Sequence, residues 1–255
     1  MDAICIRQLA VPFACRPETG PSPSSRDAEC QADNDHEIIG MEHLPKGPGI
    51  IVFYHGTVDV DYILLVCNIY MQRRKICVTV TDNWLYSMPG LKPIFDAAGC
   101  ICGTKAKCVE MLKKGCFMGV APGGGREAIF SDQYYRLIWG KRTGFAQVAL
   151  EAKVPIIPMF TQNIQEAFRG YGRIRLIRWL YEKTRFICVP ISGSFPVKLR
   201  TYLGEPIPYD PDITAEELAE KTKVAIENLR DRYQKIPGNI CRALSERFHK
   251  RPKDD

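Results

Sequence analysis

The chain has 255 residues, 45% of them hydrophobic, so it can bury one sizeable core within a single domain. Its 35 lysines and arginines and 29 acidic residues leave a net charge of +6, too small over this length to indicate a nucleic-acid-binding protein. No run of about 18 to 20 apolar residues occurs. We therefore expect no nucleic-acid partner and no membrane-spanning segment in this chain.

Residues 1–36 are rich in proline, serine, arginine and aspartate and show no periodicity, a composition typical of disorder. We predict a disordered segment at 1–36, a folded domain at 37–236 and a basic C-terminal tail at 237–255. Five short segments of the domain predict strands: Gly49–Tyr54, Lys75–Val80, Cys116–Ala121, Val154–Phe160 and Val197–Leu203. The last one alternates apolar and polar residues, which favours an edge strand with one face in water.

Helical segments lie between these strands. They are predicted at Asp59–Arg73, Lys105–Lys114, Lys141–Lys153 and Ala215–Ile236. Thr214 and Glu217 have the spacing of a capping box at the start of the last helix. Because strands alternate with helices, the sequence predicts an α/β fold with a largely parallel central sheet and helices on both faces.

One of the four histidines differs from the others in its surroundings. His55 directly follows the apolar run GIIVFY, and two carboxylates, Asp59 and Asp61, come soon after it. Reacting groups converge at the carboxyl ends of parallel strands, and a histidine beside a carboxylate is suited to proton abstraction. The alternative is a structural histidine that hydrogen-bonds a loop carbonyl, and the spacing alone leaves both interpretations open.

A second feature is the glycine-rich loop APGGGRE at 121–127, directly after the predicted strand Cys116–Ala121. Glycines allow close approach to a ligand, and successive amides can hold a phosphate or an oxyanion. The loop lacks the Gly-Lys-Ser/Thr of a P-loop, and a tight strand-to-helix turn is the simpler interpretation. None of the eleven cysteines forms a Cys-x-x-Cys pair, so the sequence predicts no metal site.

Taken in order, four blocks resemble the glycerophospholipid acyltransferase superfamily. They are GMEHLP followed by GIIVFYH, then GCICGTK, APGGGRE and VPIIP. The segment KRTGFAQVALEAKVPIIPMFTQN is similar to the diacylglycerol acyltransferase-like branch. Three departures stand out. Neither Asp59 nor Asp61 has the usual four residues between histidine and aspartate, Gly123 replaces the glutamate of the third block, and Lys105 replaces the arginine of the second.

The resemblance implies an acyl-CoA-dependent O-acyltransferase that makes glycerolipids, most closely triacylglycerol from di- or monoacylglycerol. It implies His55 as general base and Asp61 as the carboxylate that orients it, with Asp59 in reserve. The residues that it implies for substrate binding are Lys105, Gly123, Gly124, Gly125, Arg126 and Glu127. Amides of Gly124 and Gly125 would stabilise the oxyanion. Acyl-CoA is then a co-substrate, and no other cofactor and no metal is expected.

A glycerolipid acceptor requires contact with a membrane surface. Residues 169–185 combine five arginines and a lysine with tyrosines, a tryptophan and aliphatic residues, a mixture suited to lipid headgroups. A solvated helix packed by its aromatic face is the alternative. The resemblance implies the cytosolic face of the endoplasmic reticulum membrane. Two other functions stay open, a lysophospholipid acyltransferase and a catalytically silent, membrane-associated regulator.

Overall fold

The computed structural model describes residues 36–82, 92–184 and 190–247. Residues 1–35, which make up almost all of the predicted disordered segment, lie outside these ranges, as do Arg185 and residues 248–255. The strands are β1 His36–Ile39, β2 Ile50–Phe53, β3 Cys77–Thr81, β4 Cys100–Cys102, β5 Phe117–Val120, β6 Ile156–Gln162, β7 Phe168–Gly170, β8 Ile191–Gly193 and β9 Leu199–Leu203.

Seven of these strands form one sheet in the order β1-β9-β6-β2-β5-β3-β4. Neighbouring strands run parallel except for β6 and β9, which pair antiparallel. The prediction of a largely parallel central sheet is therefore confirmed. A separate antiparallel pair is formed by β7 and β8.

A short 3₁₀ helix at Met41–His43 follows β1. The α-helices are α1 Val60–Arg73, α2 Lys92–Ala97, α3 Lys105–Lys113, α4 Gly124–Phe130, α5 Gly144–Ala152, α6 Ile164–Ala167, α7 Arg175–Thr184, α8 Ala215–Tyr233 and α9 Ile240–Glu246. The predicted capping box starts α8, where the Glu217 amide donates to Thr214 at 3.2 Å.

The core is divided by the sheet, because successive side chains of a strand point to opposite faces. On one face, α1 packs with Ile51 and Phe53 of β2. On the other face, α3, α5 and α8 pack with Ile50 and Val52 of the same strand. Helices thus cover both faces, and four consecutive buried residues in β2 are explained by burial from two sides.

Two predictions differ from the structure. The segment Val197–Leu203 is not an edge strand, because β9 lies between β1 and β6 and all of its residues are buried. Its polar residues are accommodated by partners: Arg200 pairs with Glu37 at 3.0 Å, and the Thr201 hydroxyl lies 2.9 Å from that of Thr161. The predicted tail also contains α9, which is capped by Asn239 and packs Ala243 into the core.

The connections around β2 and β5 locate a crevice. The chain leaves β2 through α1, over one face of the sheet, to reach β3. It leaves β5 through α5, over the opposite face, to reach β6. The two strands are parallel neighbours, so the crevice outside their carboxyl ends is the switch point at which ligands bind in sheets of this kind.

Candidate active site

His55 lies in this crevice, two residues after the end of β2. Its Nδ1 atom is 2.8 Å from the carbonyl oxygen of Gly56 and 3.1 Å from Oδ1 of Asp59. Both neighbours are acceptors, so Nδ1 carries the proton in the neutral ring. Nε2 is then the nitrogen that can accept a proton, which is the arrangement a general base requires.

The carboxylate that contacts His55 is Asp59. The prediction that Asp61 orients the imidazole is therefore wrong, and Asp59, the alternative, has this position. Asp59 lies just before α1 and faces the imidazole. Asp61 lies in the first turn of α1 and is 2% exposed, on the helix face that packs against the sheet with Tyr62 and Leu65. The side chains of Asp59 and Asp61 point in different directions, because residues two apart on a helix do not share a face.

Glu127 joins the glycine loop to the His55 segment. Its carboxylate accepts hydrogen bonds from the amide of His55 at 2.9 Å and from the amide of Ile138 at 2.7 Å. The side chain is completely buried. Glu127 therefore fixes the backbone at His55, which is a positioning role, and its predicted contact with substrate stays a prediction.

Two of the three glycines of the loop have structural roles. A side chain at Gly123 would collide with that of Glu127, and Gly124 has a positive φ of 53°. The amide of Gly124, predicted to stabilise the oxyanion, donates instead to the carbonyl of Ala121 at 3.0 Å in this structure. A role for Gly125 in substrate binding stays a prediction.

Arg142 is a residue of this site that the sequence reasoning did not single out. Its Nη1 atom donates to the carbonyls of Pro122 at 2.7 Å and Gly123 at 3.0 Å, and so holds the glycine loop in place. The sequence signal that could have identified Arg142 was its position in the segment KRTGFAQ, which is part of the resemblance to the diacylglycerol acyltransferase-like branch. An arginine beside a glycine-rich turn is well suited to such a role, since its guanidinium donates five hydrogen bonds.

The two cations predicted to bind substrate are placed differently. Lys105 begins α3 after β4, three strand positions from β2, or about 14 Å at the usual strand spacing. It is exposed and pairs with Glu151 at 3.0 Å. The structure thus does not bring Lys105 to His55. Arg126 lies one residue before Glu127 and is exposed, so it is available near the crevice.

A second layer supports the His55 segment from the end of β6. Gln165 donates to the hydroxyl of Tyr54 at 3.0 Å and accepts from the hydroxyl of Thr57 at 3.4 Å. The backbone amide of Gln165 donates to the hydroxyl of Tyr135, which in turn donates to Glu166. These bonds attach the residues on both sides of His55 to the body of the domain.

The electrostatics of the crevice follow from burial and proximity. Burial lowers the pKa of His55, but Asp59 and the Gly56 carbonyl raise it more, to about 9. Burial raises the pKa of Glu127 to about 7 against the lowering effect of its two amide donors. Burial, with a contribution from Asp59, likewise raises the pKa of Asp61 to about 7. Shifted pKa values in a crevice are typical of an active site.

Comparison with known proteins identifies the family of this chain. The model of the family described as "Acyltransferase" matches residues 35–162, which include His55, Asp59 and the glycine loop. The chain belongs to the acyltransferase family. The resemblance of its four blocks to this family is thereby confirmed.

Two relatives of this acyltransferase carry the name "DGAT1/2-independent enzyme synthesizing storage lipids". The Homo sapiens protein is 52% identical over 224 residues, which cover 88% of this chain and 69% of the relative. The Mus musculus protein is 51% identical over 227 residues, covering 89% and 69%. Among solved structures, the 1-acyl-sn-glycerophosphate acyltransferase PlsC of Thermotoga maritima matches at 19% identity and a TM-score of 0.49, covering 78% of this chain and 72% of that one.

None of the helices within residues 36–82, 92–184 and 190–247 has both the length and the apolar sequence needed to cross a membrane.

Proposed function

We propose that this acyltransferase moves a fatty acyl group from coenzyme A to a hydroxyl of a mono- or diacylglycerol, with His55 as the general base. The observation that carries the proposal is the environment of His55, where two acceptors hold Nδ1 and leave Nε2 as the basic nitrogen. Its position at the switch-point crevice of a chain in the acyltransferase family supports the same assignment.

In the proposed reaction, Nε2 of His55 removes the proton of the acceptor hydroxyl as its oxygen attacks the thioester carbonyl. The carbon–sulfur bond breaks, and the coenzyme A thiolate takes the proton from the imidazolium. Asp59 stabilises the imidazolium that forms in between, and Glu127 keeps the His55 backbone in place. Both substrates react within one complex, so the proposed reaction needs no acyl-enzyme intermediate, no metal and no cofactor besides acyl-CoA as co-substrate.

A neutral-lipid acceptor is favoured by the names of the relatives, which describe enzymes that synthesize storage lipids. Gly123 stands where the third block of lysophosphatidate acyltransferases has a glutamate, which favours the same class of acceptor. We propose the cytosolic face of the endoplasmic reticulum membrane as the place of reaction, because the resemblance of the four sequence blocks implies this location.

We further propose that the protein docks on the membrane through the α7 surface, defined as Ile174, Arg175, Leu176, Arg178, Trp179 and Lys183. Leu176 is 70% exposed and Trp179 is 56% exposed, although both are large and apolar. Lys183 stacks over the Trp179 ring at 5.0 Å, and Arg175 is also exposed. Apolar side chains surrounded by cations match the boundary between acyl chains and anionic headgroups.

A panel of acceptors tests the proposed function. Purified protein is incubated with acyl-CoA and, in parallel, with monoacylglycerol, diacylglycerol and lysophospholipids, and released coenzyme A is measured. Transfer to a neutral lipid, lowered about 10²-fold or more in folded His55→Ala, is the expected outcome. Transfer to lysophospholipids alone would establish that activity instead. No release with any acceptor, or His55→Ala at wild-type rate, would contradict the proposed mechanism, and the first result would favour a silent regulator.

A further inference from the structure

A cavity of about 210 Å³ opens beside the His55 segment. Residues 131–134 line one part of it, and Arg169, Gly170 and Arg173 line another, together with Gln165. Apart from glycine, every side chain of this lining carries a hydrogen-bonding group. Such a lining does not suit a fatty acyl chain, which needs an apolar wall.

The cavity is connected to the active site through several contacts. Gln165 is hydrogen-bonded to Thr57 and Tyr54, the neighbours of His55. A Cβ atom at Gly170 would lie 3.1 Å from the Thr57 side chain, so β7 runs close to the loop after His55. The hydroxyl of Ser131 is 3.5 Å from the carbonyl oxygen of His55. A group bound in the cavity therefore lies next to the backbone of the His55 segment.

The charges of the lining favour an anion. Arg173 is paired with Asp132, whose other oxygen accepts from the amide of Tyr134 at 2.9 Å. The pairing orients Arg173 and leaves most of its five N–H donors available. Among the described residues, no carboxylate forms an ion pair with Arg169. Glu166 is also near Arg169, and burial raises the pKa of its carboxyl against the lowering by Tyr135 and Arg169.

We infer that this cavity, through Arg169 and Arg173, binds a phosphate group of a ligand that reacts at His55. Two guanidinium groups give the planar, forked donors that phosphate oxygens prefer. The hydroxyl of Tyr134 and the amide of Gln133 are further donors in the lining. The inference rests on the proposed function, in which acyl-CoA is the substrate that carries phosphate. The headgroup of a glycerophospholipid is the other source of the same chemistry, and the test below distinguishes the two.

Direct binding to Arg169→Gln tests the inference. Isothermal titration is carried out with free coenzyme A in one arm and with a water-soluble, short-chain lysophosphatidate in the other, and inorganic phosphate is added as competitor. Loss of charge-assisted hydrogen bonds should lower the affinity of Arg169→Gln for one of the two ligands about tenfold or more. Arg169→Lys keeps the charge without the fork and should recover part of the affinity. Lys221→Gln removes one exposed charge of α8 and should leave both affinities unchanged.

Each result has one meaning. A loss confined to coenzyme A identifies the donor phosphate, and a loss confined to lysophosphatidate identifies a lipid headgroup. Wild-type affinity for both ligands in Arg169→Gln, or failure of phosphate to compete, overturns the inference. Melting curves show whether Arg169→Gln is folded, and Arg173→Gln replaces it if not. The binding assay measures no turnover, so it is independent of the acceptor panel. If the panel shows acyl transfer and Arg169→Gln binds both ligands normally, only this inference fails. If binding depends on Arg169 and the panel shows no transfer, only the proposed function fails.

Discussion

The end of β2 and the α7 surface both contain charged and aromatic residues, but these residues are buried to very different extents at the two places. At β2, His55 and Asp59 are partly buried and Glu127 is completely buried, and all three are held at distances of 2.7 to 3.1 Å by defined partners. At α7, Leu176 and Trp179 are more than half exposed, and the cations around them lie in solvent.

This difference separates chemistry from docking. Charges removed from water interact strongly, and the pKa values of His55 and Glu127 are both raised, to about 9 and about 7. Exposed charges interact weakly in water and are screened by salt, but they remain available to a partner surface. We therefore expect substitutions at β2 to change rates and pH dependence, and substitutions at α7 to change binding to lipid.

The largest effect is expected from Asp59→Asn. Without the carboxylate, the imidazolium is no longer stabilised and the ring is less well oriented, so kcat/KM should fall about 10²-fold. The pH profile provides the sharper measurement. The base must be neutral, so kcat/KM of the wild type should rise with pH through about 9, the pKa of His55. Removing Asp59 should move this rise to lower pH.

Asp61→Asn is the matched control, because Asp61 is not among the groups that shift the pKa of His55. Its pH profile for activity should keep the position of the wild type. If Asp61→Asn moved the profile and Asp59→Asn did not, the carboxylate that we assign to His55 would be the wrong one.

The second prediction uses the raised pKa of Asp61, about 7 against an ordinary 3.8. Between these pH values the folded protein holds a proton that the unfolded chain has lost, so stability falls as pH rises, by up to about 1.4 kcal/mol per pH unit. Asn resembles the protonated carboxyl. Asp61→Asn should therefore match the wild type near pH 4 and unfold at higher denaturant concentration at pH 8. Equal pH dependence in both proteins would show that Asp61 is not buried as described.

The sequence predicted the parallel sheet because burial from both faces leaves continuous apolar runs, such as the one that became β2. It also predicted His55 and the glycine loop as parts of one site, and the contact between His55 and Glu127 brings them together. Both successes depend on local patterns. Strand ends and glycine turns are visible within a few residues of sequence.

What the sequence did not predict depends on direction and on distant partners. Asp59 and Asp61 are two residues apart, and the position at which α1 starts decides which of them faces His55. The alternation in β9 resembled an edge strand, because the polar partners that bury Arg200 and Thr201 lie on β1 and β6. Arg142 reaches the glycine loop from about twenty residues further along the chain, and no spacing rule connects the two.

The third prediction concerns packing beneath the site. Gly123→Ala places a methyl group against the side chain of Glu127, which cannot move without losing its two amide donors. We expect a loss of about 1 to 3 kcal/mol in the free energy of unfolding, together with reduced activity. Gly144→Ala is the control, since a Cβ atom there meets nothing within 4 Å. Equal stability of the two variants would contradict the tight contact at Gly123.

The last prediction addresses the α7 surface, where single effects are smallest. Cations near anionic headgroups contribute about 1 kcal/mol each, and salt screens them, whereas a buried tryptophan adds an apolar term that salt does not screen. Charge reversal of Arg175 and Arg178 to Glu should therefore weaken liposome binding strongly at low salt and less at high salt. Trp179→Ala should weaken it at both. Activity on acceptor lipid in bilayers should fall in parallel, and activity on a dissolved short-chain acceptor should persist. If both activities fell while liposome binding stayed unchanged, the α7 surface would belong to catalysis, and the contrast with β2 would fail.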